Sequence, residues 1–317
     1  MRIGRKLERE DRVFVAGHKG LVGSALVRRL EAEGFRNLIL RSRQELDLLE
    51  RDAVDRFFEL ERPDHVLMAA ARVGGILANS RYPADFIREN LVMQGNVIEA
   101  ARQAGVSRLL FLGSSCIYPR AAPQPMKEDH LLTGPLEPTN APYAMAKLAG
   151  ITMCRAYNRQ YGTTFISALP TNLYGPGDNF DLETSHVIPA LIRKFHEARL
   201  RGDDRVVVWG TGTPRREFLH VDDMADACLL LMRIPDPPDI TNIGTGEDVS
   251  IRELAETFVR VTGFQGKIEF DTSRPDGTPR KLLDVSRIRS LGWTYRISLE
   301  EGLRRTWEWF VERAARK

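Results

Sequence analysis

The sequence predicts an α/β fold, a doubly wound parallel sheet with a smaller C-terminal lobe. Three observations predict it. A short apolar run, Arg12 to Ala16, ends in a glycine turn, and a stretch with helical spacing follows at once. Short apolar runs and helical stretches then alternate to about residue 170, the pattern of a parallel sheet covered on both faces. Beyond Pro170 the alternation loosens into turn-rich segments and shorter elements. The expected division is residues 1–170 with about 216–243 for the sheet domain, and 171–215 with 244–317 for the lobe.

At 317 residues, 43% hydrophobic and 28% charged, the chain is long enough for a full core and two lobes. A net charge of +3 is too small for a nucleic-acid footprint, and no basic run interleaves with aromatics. Arg2, Arg5, Lys6 and Arg9 make the start basic, but no apolar stretch follows, so a signal peptide is not expected. No run reaches the length of a membrane span. Cys116, Cys154 and Cys228 are widely spaced; they suggest neither a disulfide framework nor a metal knuckle, and fit a reducing cytoplasm. The six histidines form no ligand pair such as H-x-x-x-H, so no metal is expected.

The first strand leads into Gly17-His18-Lys19-Gly20-Leu21-Val22-Gly23 and a helix from Leu21 to Glu33, with Leu21, Ala25, Leu26 and Leu30 on one face. Strand, glycine turn and helix together point to a dinucleotide. Glycines let the backbone approach a pyrophosphate, whose charge meets the helix N-terminus. The spacing is G-x-x-G-x-x-G rather than G-x-G-x-x-G, and a tight turn without ligand has the same composition. The next strand, Asn37 to Leu40, ends in Arg41-Ser42-Arg43. Arginine at this place accommodates a 2′-phosphate, where an acidic residue would take the ribose hydroxyl. The expected cofactor is therefore NADP(H), although Glu45 and Asp47 follow closely.

A helix is expected at Arg51 to Leu60 and a strand at His65 to Ala70, with His65 opening the strand rather than serving as a ligand. Ala71 to Tyr82 reads as a glycine-containing loop at a strand end, where open α/β sheets bind ligands. A long helix, Pro83 to Ala104, and a strand, Arg108 to Leu112, deliver Gly113-Ser114-Ser115-Cys116. Pro119 to Pro138 reads as a covering loop, Tyr143 to Tyr161 as a helix and Thr164 to Leu169 as a strand. Thr171 to Thr184 reads as a loop, Val187 to Leu200 as a helix and Arg205 to Trp209 as a strand. The segment Arg215 to Asp223 leads into a helix ending near Met232, and Thr241 to Ile243 returns to the main sheet. A helix at Ile251 to Val261, a strand at Lys267 to Phe270 and helices near Asp284 and Leu299 complete the lobe.

Tyr143 and Lys147 stand four apart on a helix, hence on one face. A free phenol, with a pKa of about 10, is a poor proton-transfer group at neutral pH. An ammonium beside it favours the phenolate, so the pair can exchange a proton with an alcohol or carbonyl oxygen. An exposed lysine beside a half-buried tyrosine gives the same pattern.

In this order, Gly17/Gly20/Gly23, then Ser114, then Tyr143/Lys147 resemble the extended short-chain dehydrogenase/reductase family. The resemblance implies a Rossmann-type sheet. Ser114 would steady the substrate oxygen and Tyr143 would donate the proton. Lys147 would hold the cofactor ribose and tune Tyr143. Longer stretches narrow the resemblance: 17–24 (GHKGLVGS), 70–76 (AARVGGI), 113–119 (GSSCIYP), 138–143 (PTNAPY), 170–176 (PTNLYGP), 185–190 (SHVIPA), 216–223 (REFLHVDD) and 275–281 (PDGTPRK). They are similar to the members that convert GDP-4-keto-6-deoxy-D-mannose to GDP-L-fucose. Those members invert C3 and C5, then reduce the C4 ketone with NADPH. The likeness spans all but about the first ten residues.

This narrower resemblance implies that Cys116 and His186 are the base and acid of the inversions. The protons on C3 and C5 flank a ketone and are acidic. A thiolate is a suitable base where a cation is near, and a histidine titrates near neutrality. Leu112, Gly113, Ser115, Pro170, Thr171, Asn172, Leu173 and His186 would join the glycine turn around the cofactor. Lys194, Trp209, Arg216, Asp276 and Lys281 would take the GDP-sugar. His220 is expected in a structural turn. The helices Pro83 to Ala104 and Tyr143 to Tyr161 would pair across a homodimer. Two rivals stay open: a nucleotide-sugar 4-epimerase or 4,6-dehydratase with a tightly held NAD, and a dinucleotide-binding protein without chemistry.

Overall fold

Four apolar residues in succession, Val13–Ala16, form strand β1 and are buried along its whole length, as a strand covered on both faces requires. The computed structural model describes residues 4–182, 184–274 and 276–315, without the side chains of residues 76 and 77. Arg2 and Pro275, named above, lie outside the described residues. From β1 the chain runs through α1 (Leu21–Ala32), β2 (Leu38–Ile39), α2 (Arg51–Glu61), β3 (His65–Met68), α3 (Ile76–Arg81), α4 (Pro83–Gln103), β4 (Arg108–Leu112), α5 (Ala141–Tyr161) and β5 (Phe165–Pro170). It continues through β6 (Asn172–Tyr174), α6 (Val187–Arg201), β7 (Arg205–Trp209), β8 (Arg215–Arg216), β9 (Phe218–His220), α7 (Val221–Arg233) and β10 (Ile240–Ile243). The last elements are β11 (Val249–Ser250), α8 (Ile251–Thr262), β12 (Lys267–Asp271), β13 (Arg280–Lys281), α9 (Ser286–Ser290) and α10 (Leu299–Ala314).

The main sheet has six strands in the order β10-β5-β4-β3-β1-β2, and every neighbouring pair is parallel. This is the Rossmann-type arrangement. The chain leaves β1 toward β2 on one side and returns to β3 on the other, so a crevice opens at the strand ends between β1 and β3. Gly17 sits there with φ +83°, and a Cβ on it would lie 2.8 Å from the main chain of Ala70. Only glycine fits.

Helix α4 is pinned by buried amides rather than by apolar contact alone. Gln94 donates to the carbonyl of Ala146 at 2.7 Å, Asn96 to Leu48 at 2.9 Å and Asn90 to Arg72 at 3.0 Å. The first of these ties α4 to α5, which lies beside it. Gly150 lets α5 press onto the sheet, since a Cβ there would stand 2.5 Å from the Phe111 ring. Arg108 is fully buried, and its guanidinium donates to the carbonyls of Gly4, Met232, Ile234 and Pro235. His65 opens β3 as expected, held at 2.9 Å by Asp11.

A second apolar cluster, including Ile188, Ile192, Phe195, Leu254, Phe258 and Leu303, lies away from the sheet. Around it stand the pairs β7–β12 and β6–β9 and the three-stranded β11-β8-β13. Two expected loops carry structure. The 71–82 segment contains α3, which starts directly after Gly74-Gly75. The 171–184 segment contains β6, paired with β9 through Asn172↔Phe218 to Tyr174↔His220. That partner is some 45 residues away, and local periodicity carries no trace of such pairing.

Gly150→Ala should lower stability by about 1–3 kcal/mol, the usual cost of overpacking a filled core. Equilibrium urea unfolding measures it. An unchanged midpoint would mean that Phe111 and Gln94 move aside freely.

Candidate active site

The glycine turn opens a cleft of about 620 Å³ along the carboxyl ends of the strands, within the size range of cofactor sites. The chain enters α1 with its main chain folded back on itself. Gly20 N donates to Gly17 O at 3.0 Å, and a Cβ on Gly23 would fall 2.0 Å from Gly17 O. Gly17, Gly20, Leu21, Val22 and Gly23 therefore form one wall, with helix N–H groups pointing along it. Leu112 to Cys116, Tyr143, Lys147, Pro170 to Leu173 and His186 form the others, with Arg41 and Arg43 at one end. His18 and Lys19 do not line the cleft; they flank its Arg41 end, where His18 hydrogen-bonds the main chain of Arg41. Arg41 is braced by Glu61 at 2.6 Å, and Arg43 by Asp47 at 3.3 Å. The Asp47 that weakened the arginine argument thus orients an arginine.

Strand β4 delivers Ser114 and a short 3-10 turn, Ser115–Ile117. The Ser114 hydroxyl accepts from Cys116 N at 3.2 Å and hydrogen-bonds Tyr143. Serine, cysteine and tyrosine so meet at one point. The expectation that Lys147 lowers the pKa of Tyr143 is corrected here. Burial pushes the Tyr143 phenol up, the negative charge available to Cys116 adds to this, and only Ser114 opposes it. The Lys147 ammonium instead donates to the carbonyl of Leu112 at 2.8 Å and lies 4.7 Å from the Phe111 ring centre. Burial brings Lys147 itself down to about 8. Desolvation outweighs the pairing that helical spacing suggested.

His186 caps the start of α6, and burial lowers its pKa below the usual histidine value. Burial thereby makes its imidazolium a readier proton donor than that of an exposed histidine. The loop before it is latched to the glycine segment: Gly75 N donates to Thr184 O at 3.0 Å, and Asn79 donates to the carbonyls of Gly74 and Gly75. Cys116 is half-buried. Burial lowers the pKa of Arg216, and the nearby Cys116 and Asp276 oppose that shift without reversing it. The cation that a thiolate base requires is thus present.

None of the residues expected to take the GDP-sugar lines the cleft itself; Arg216 is near a lining residue, Cys116. Trp209 is half-exposed, with the Lys194 ammonium and the Arg274 guanidinium each 5.0 Å from its ring centre. Asp276 accepts from Thr211 N at 2.9 Å and from its hydroxyl at 2.7 Å, which folds the 276–277 turn over Gly210. Arg216 and Lys281 are register partners in the parallel pair β8–β13. Thus Trp209 with Lys194, and Arg216 with Asp276 and Lys281, form two adjoining groups. His220 is structural as expected: its ring accepts from Asp222 N at 3.2 Å and caps α7.

Among the cleft residues that escaped sequence reasoning are Arg72 and Asp178. Arg72 lines the wall, paired with Glu89 and Asp85 and lying over the Phe86 ring. Its signal was its place in a strand-end loop. Asp178 also lines the cleft; burial pushes its carboxyl up to about 7. In sequence it was one polar residue in a turn. Among the described residues, no group of three His, Cys, Asp or Glu could hold a metal ion.

Residues 13–244 match the NAD dependent epimerase/dehydratase family. The chain is 57% identical to GDP-L-fucose synthase 1 of Arabidopsis thaliana, covering 96% of this chain and 94% of that one. It is 57% identical to the GDP-L-fucose synthase of Escherichia coli (strain K12), covering 96% and 97%. The solved structure of a GDP-L-fucose synthetase from Naegleria fowleri bound to NADP superposes with a TM-score of 0.91 at 31% identity, covering 98% of this chain and 96% of that one. With a glycine turn, a Ser-Tyr-Lys set and a sheet that all agree with this likeness, the chain belongs to the NAD dependent epimerase/dehydratase family and, within it, to the GDP-L-fucose synthase family.

Proposed function

We propose that this protein converts GDP-4-keto-6-deoxy-D-mannose to GDP-L-fucose, inverting C3 and C5 and reducing the C4 ketone with NADPH. One observation carries the reading: Ser114, Cys116, Tyr143, Lys147 and His186 line the same cleft as the glycine turn. Reduction alone needs no cysteine and histidine there. The names of the relatives, and the NADP in one of the solved structures, support the same substrate and cofactor.

The cleft fits a dinucleotide phosphate. Gly17 and Gly23 leave space that any Cβ would fill, helix N–H groups face a pyrophosphate, and Arg41 and Arg43 suit a 2′-phosphate. When bound, NADPH supplies the hydride for C4. The protein's residues do the rest. Cys116 takes the C3 and C5 protons from one face, its thiolate facing the field of Arg216. His186, as the imidazolium, returns a proton from the other face and is left neutral. Tyr143, whose burial keeps the phenol protonated, gives that proton to the C4 oxygen as hydride arrives, while Ser114 holds the same oxygen. Lys147 steadies the cofactor ribose. Arg216, Lys281 and Lys194 take the diphosphate, beside Trp209 and Asp276.

We read the molecule as a cytoplasmic homodimer joined through α4 and α5. Leu91 on α4 and Met145 on α5 are 40% and 48% exposed, although these helices already pack on each other. No helix among the described residues is long and apolar enough to cross a membrane. We divide the chain into a sheet domain of 1–170 with about 216–243 and a GDP-sugar lobe of 171–215 with 244–317; the two apolar clusters follow this except that Leu283, Val285, Ile288 and Trp293 belong to the sheet-side cluster and Phe218 to the other. In this division α9 packs on the sheet side through Ile288.

NADPH should be preferred to NADH, and replacing both Arg41 and Arg43 by Ala should weaken NADPH far more than NADH. Steady-state kcat/KM for the two cofactors tests this; equal values in the unmodified enzyme would refute it. Tyr143→Phe should cut NADPH oxidation on the order of 10²–10⁴-fold, the usual worth of a general acid, while NADP still binds in a direct titration. Near-normal oxidation would mean that another group donates the proton. In heavy water Tyr143→Phe should still place deuterium at C3 and C5, read by NMR. Cys116→Ser should lose most of that exchange, because a hydroxyl is far harder to ionise than a thiol. Exchange of both protons at the normal rate in Cys116→Ser would remove the cysteine from the chemistry.

A further inference from the structure

Glu217 has none of its surface exposed. Burial raises its pKa despite the donors around it, and no cation pairs with it among the described residues. A buried carboxyl without a cation is costly, so its contacts indicate what it is kept for. One carboxylate oxygen accepts from Gly246 N at 2.7 Å and from the Thr245 hydroxyl at 3.4 Å. The other accepts from Leu283 N at 2.9 Å. The loop after β10 and the exit of β13 are therefore tied to one side chain. Gly244 is shaped around it, since a Cβ there would lie 2.2 Å from the carboxylate.

The main chain of Glu217 grips the other side. Its carbonyl accepts from the Thr171 hydroxyl at 3.1 Å and from the Asn172 amide at 2.8 Å, both residues of the cofactor cleft. Its N–H donates to Lys281 O at 3.3 Å. Arg216 precedes it, and successive residues of an extended chain point to opposite sides. The Glu217 side chain thus stands behind the strand pair that presents Arg216 and Lys281.

We infer that Glu217 is a positioning residue that sets where the GDP-sugar lies relative to the cofactor. This rests on the function proposed above. The carboxylate does what an amide of the same size does not, because it accepts main-chain N–H groups on both oxygens. Glu217→Gln turns one acceptor into a donor facing an N–H. Glu217→Asp keeps the charge but is too short to reach both partners. Either change lets the cationic strands shift against Thr171 and Asn172. Hydride transfer depends steeply on that spacing, and a misplacement of about 1 Å can cost on the order of 10²-fold. Proton exchange at C3 and C5 depends on Cys116 and His186 and does not require the hydride distance.

The test is a ratio. In heavy water with NADPH, deuterium entry at C3 and C5 is measured by NMR and NADPH oxidation by absorbance, for the unmodified protein and both variants. Loss of folded protein lowers both rates together and leaves the ratio unchanged, so a merely structural role does not move it. The ratio of exchange to oxidation should rise about tenfold or more in each variant, with the Kd for NADP within twofold of the unmodified value. A ratio equal to that of the unmodified protein in the variants that fold overturns the inference. If Glu217→Gln does not fold, Glu217→Asp decides alone on the same criterion. Failure of the unmodified protein both to oxidise NADPH and to exchange these protons would instead overturn the proposed function, and this inference with it.

Discussion

The cofactor wall of the cleft depends on the approach of α1 to the end of β1. Gly23 packs against the carbonyl of Gly17, and Gly17 against the main chain of Ala70, at separations that leave no room for a single methyl group. This brings the unsatisfied N–H groups of a helix to the crevice where β1 and β3 diverge. Strands β4 and β5 then end on the same edge. Their exits add Ser114 and Cys116, then Thr171 and Asn172, to the lining of the same cleft. The catalytic groups thus meet a cofactor wall that main-chain packing two strands away has shaped.

Burial is the dominant electrostatic influence once that packing is made. It raises the Tyr143 phenol and lowers Lys147, His186 and Arg216 from their ordinary values. All four shifts favour the less charged form. Burial makes these charges costlier to hold without discharging Lys147, whose value of about 8 leaves it cationic at neutral pH. An anion beside Lys147 favours its cationic form further, whereas Tyr143 gains by staying a neutral donor until an alkoxide develops beside it.

Much of this was legible in the residues. The strand-turn-helix of residues 12–33 and the strand at Arg108 to Leu112 follow from apolar runs bounded by glycine, and their bounds agree closely with β1, α1 and β4. Tyr143, Lys147, Ser114, Cys116 and His186 were named from motifs, and the fold brings them into one cleft. Three things were not legible. The pairing of β6 with β9 joins segments far apart in the chain. The role of Lys147 toward Tyr143 depended on depth of burial, which spacing on a helix does not encode. Glu217 looked like one charge in a charged run, and only the convergence of three separate segments on its carboxylate distinguishes it.

Trp209 has two cations over its ring, Lys194 and Arg274, at equal distance from its centre. Such contacts are individually modest, yet they occupy the surface on which a planar base would stack. A base gains that surface only by displacing a cation, and the displaced charge then needs an anion. A nucleoside brings none, whereas a nucleoside diphosphate carries its own. Recognition of the base and recognition of the phosphates are consequently one exchange reaction, in which the ligand's tail receives the cation that its head expels.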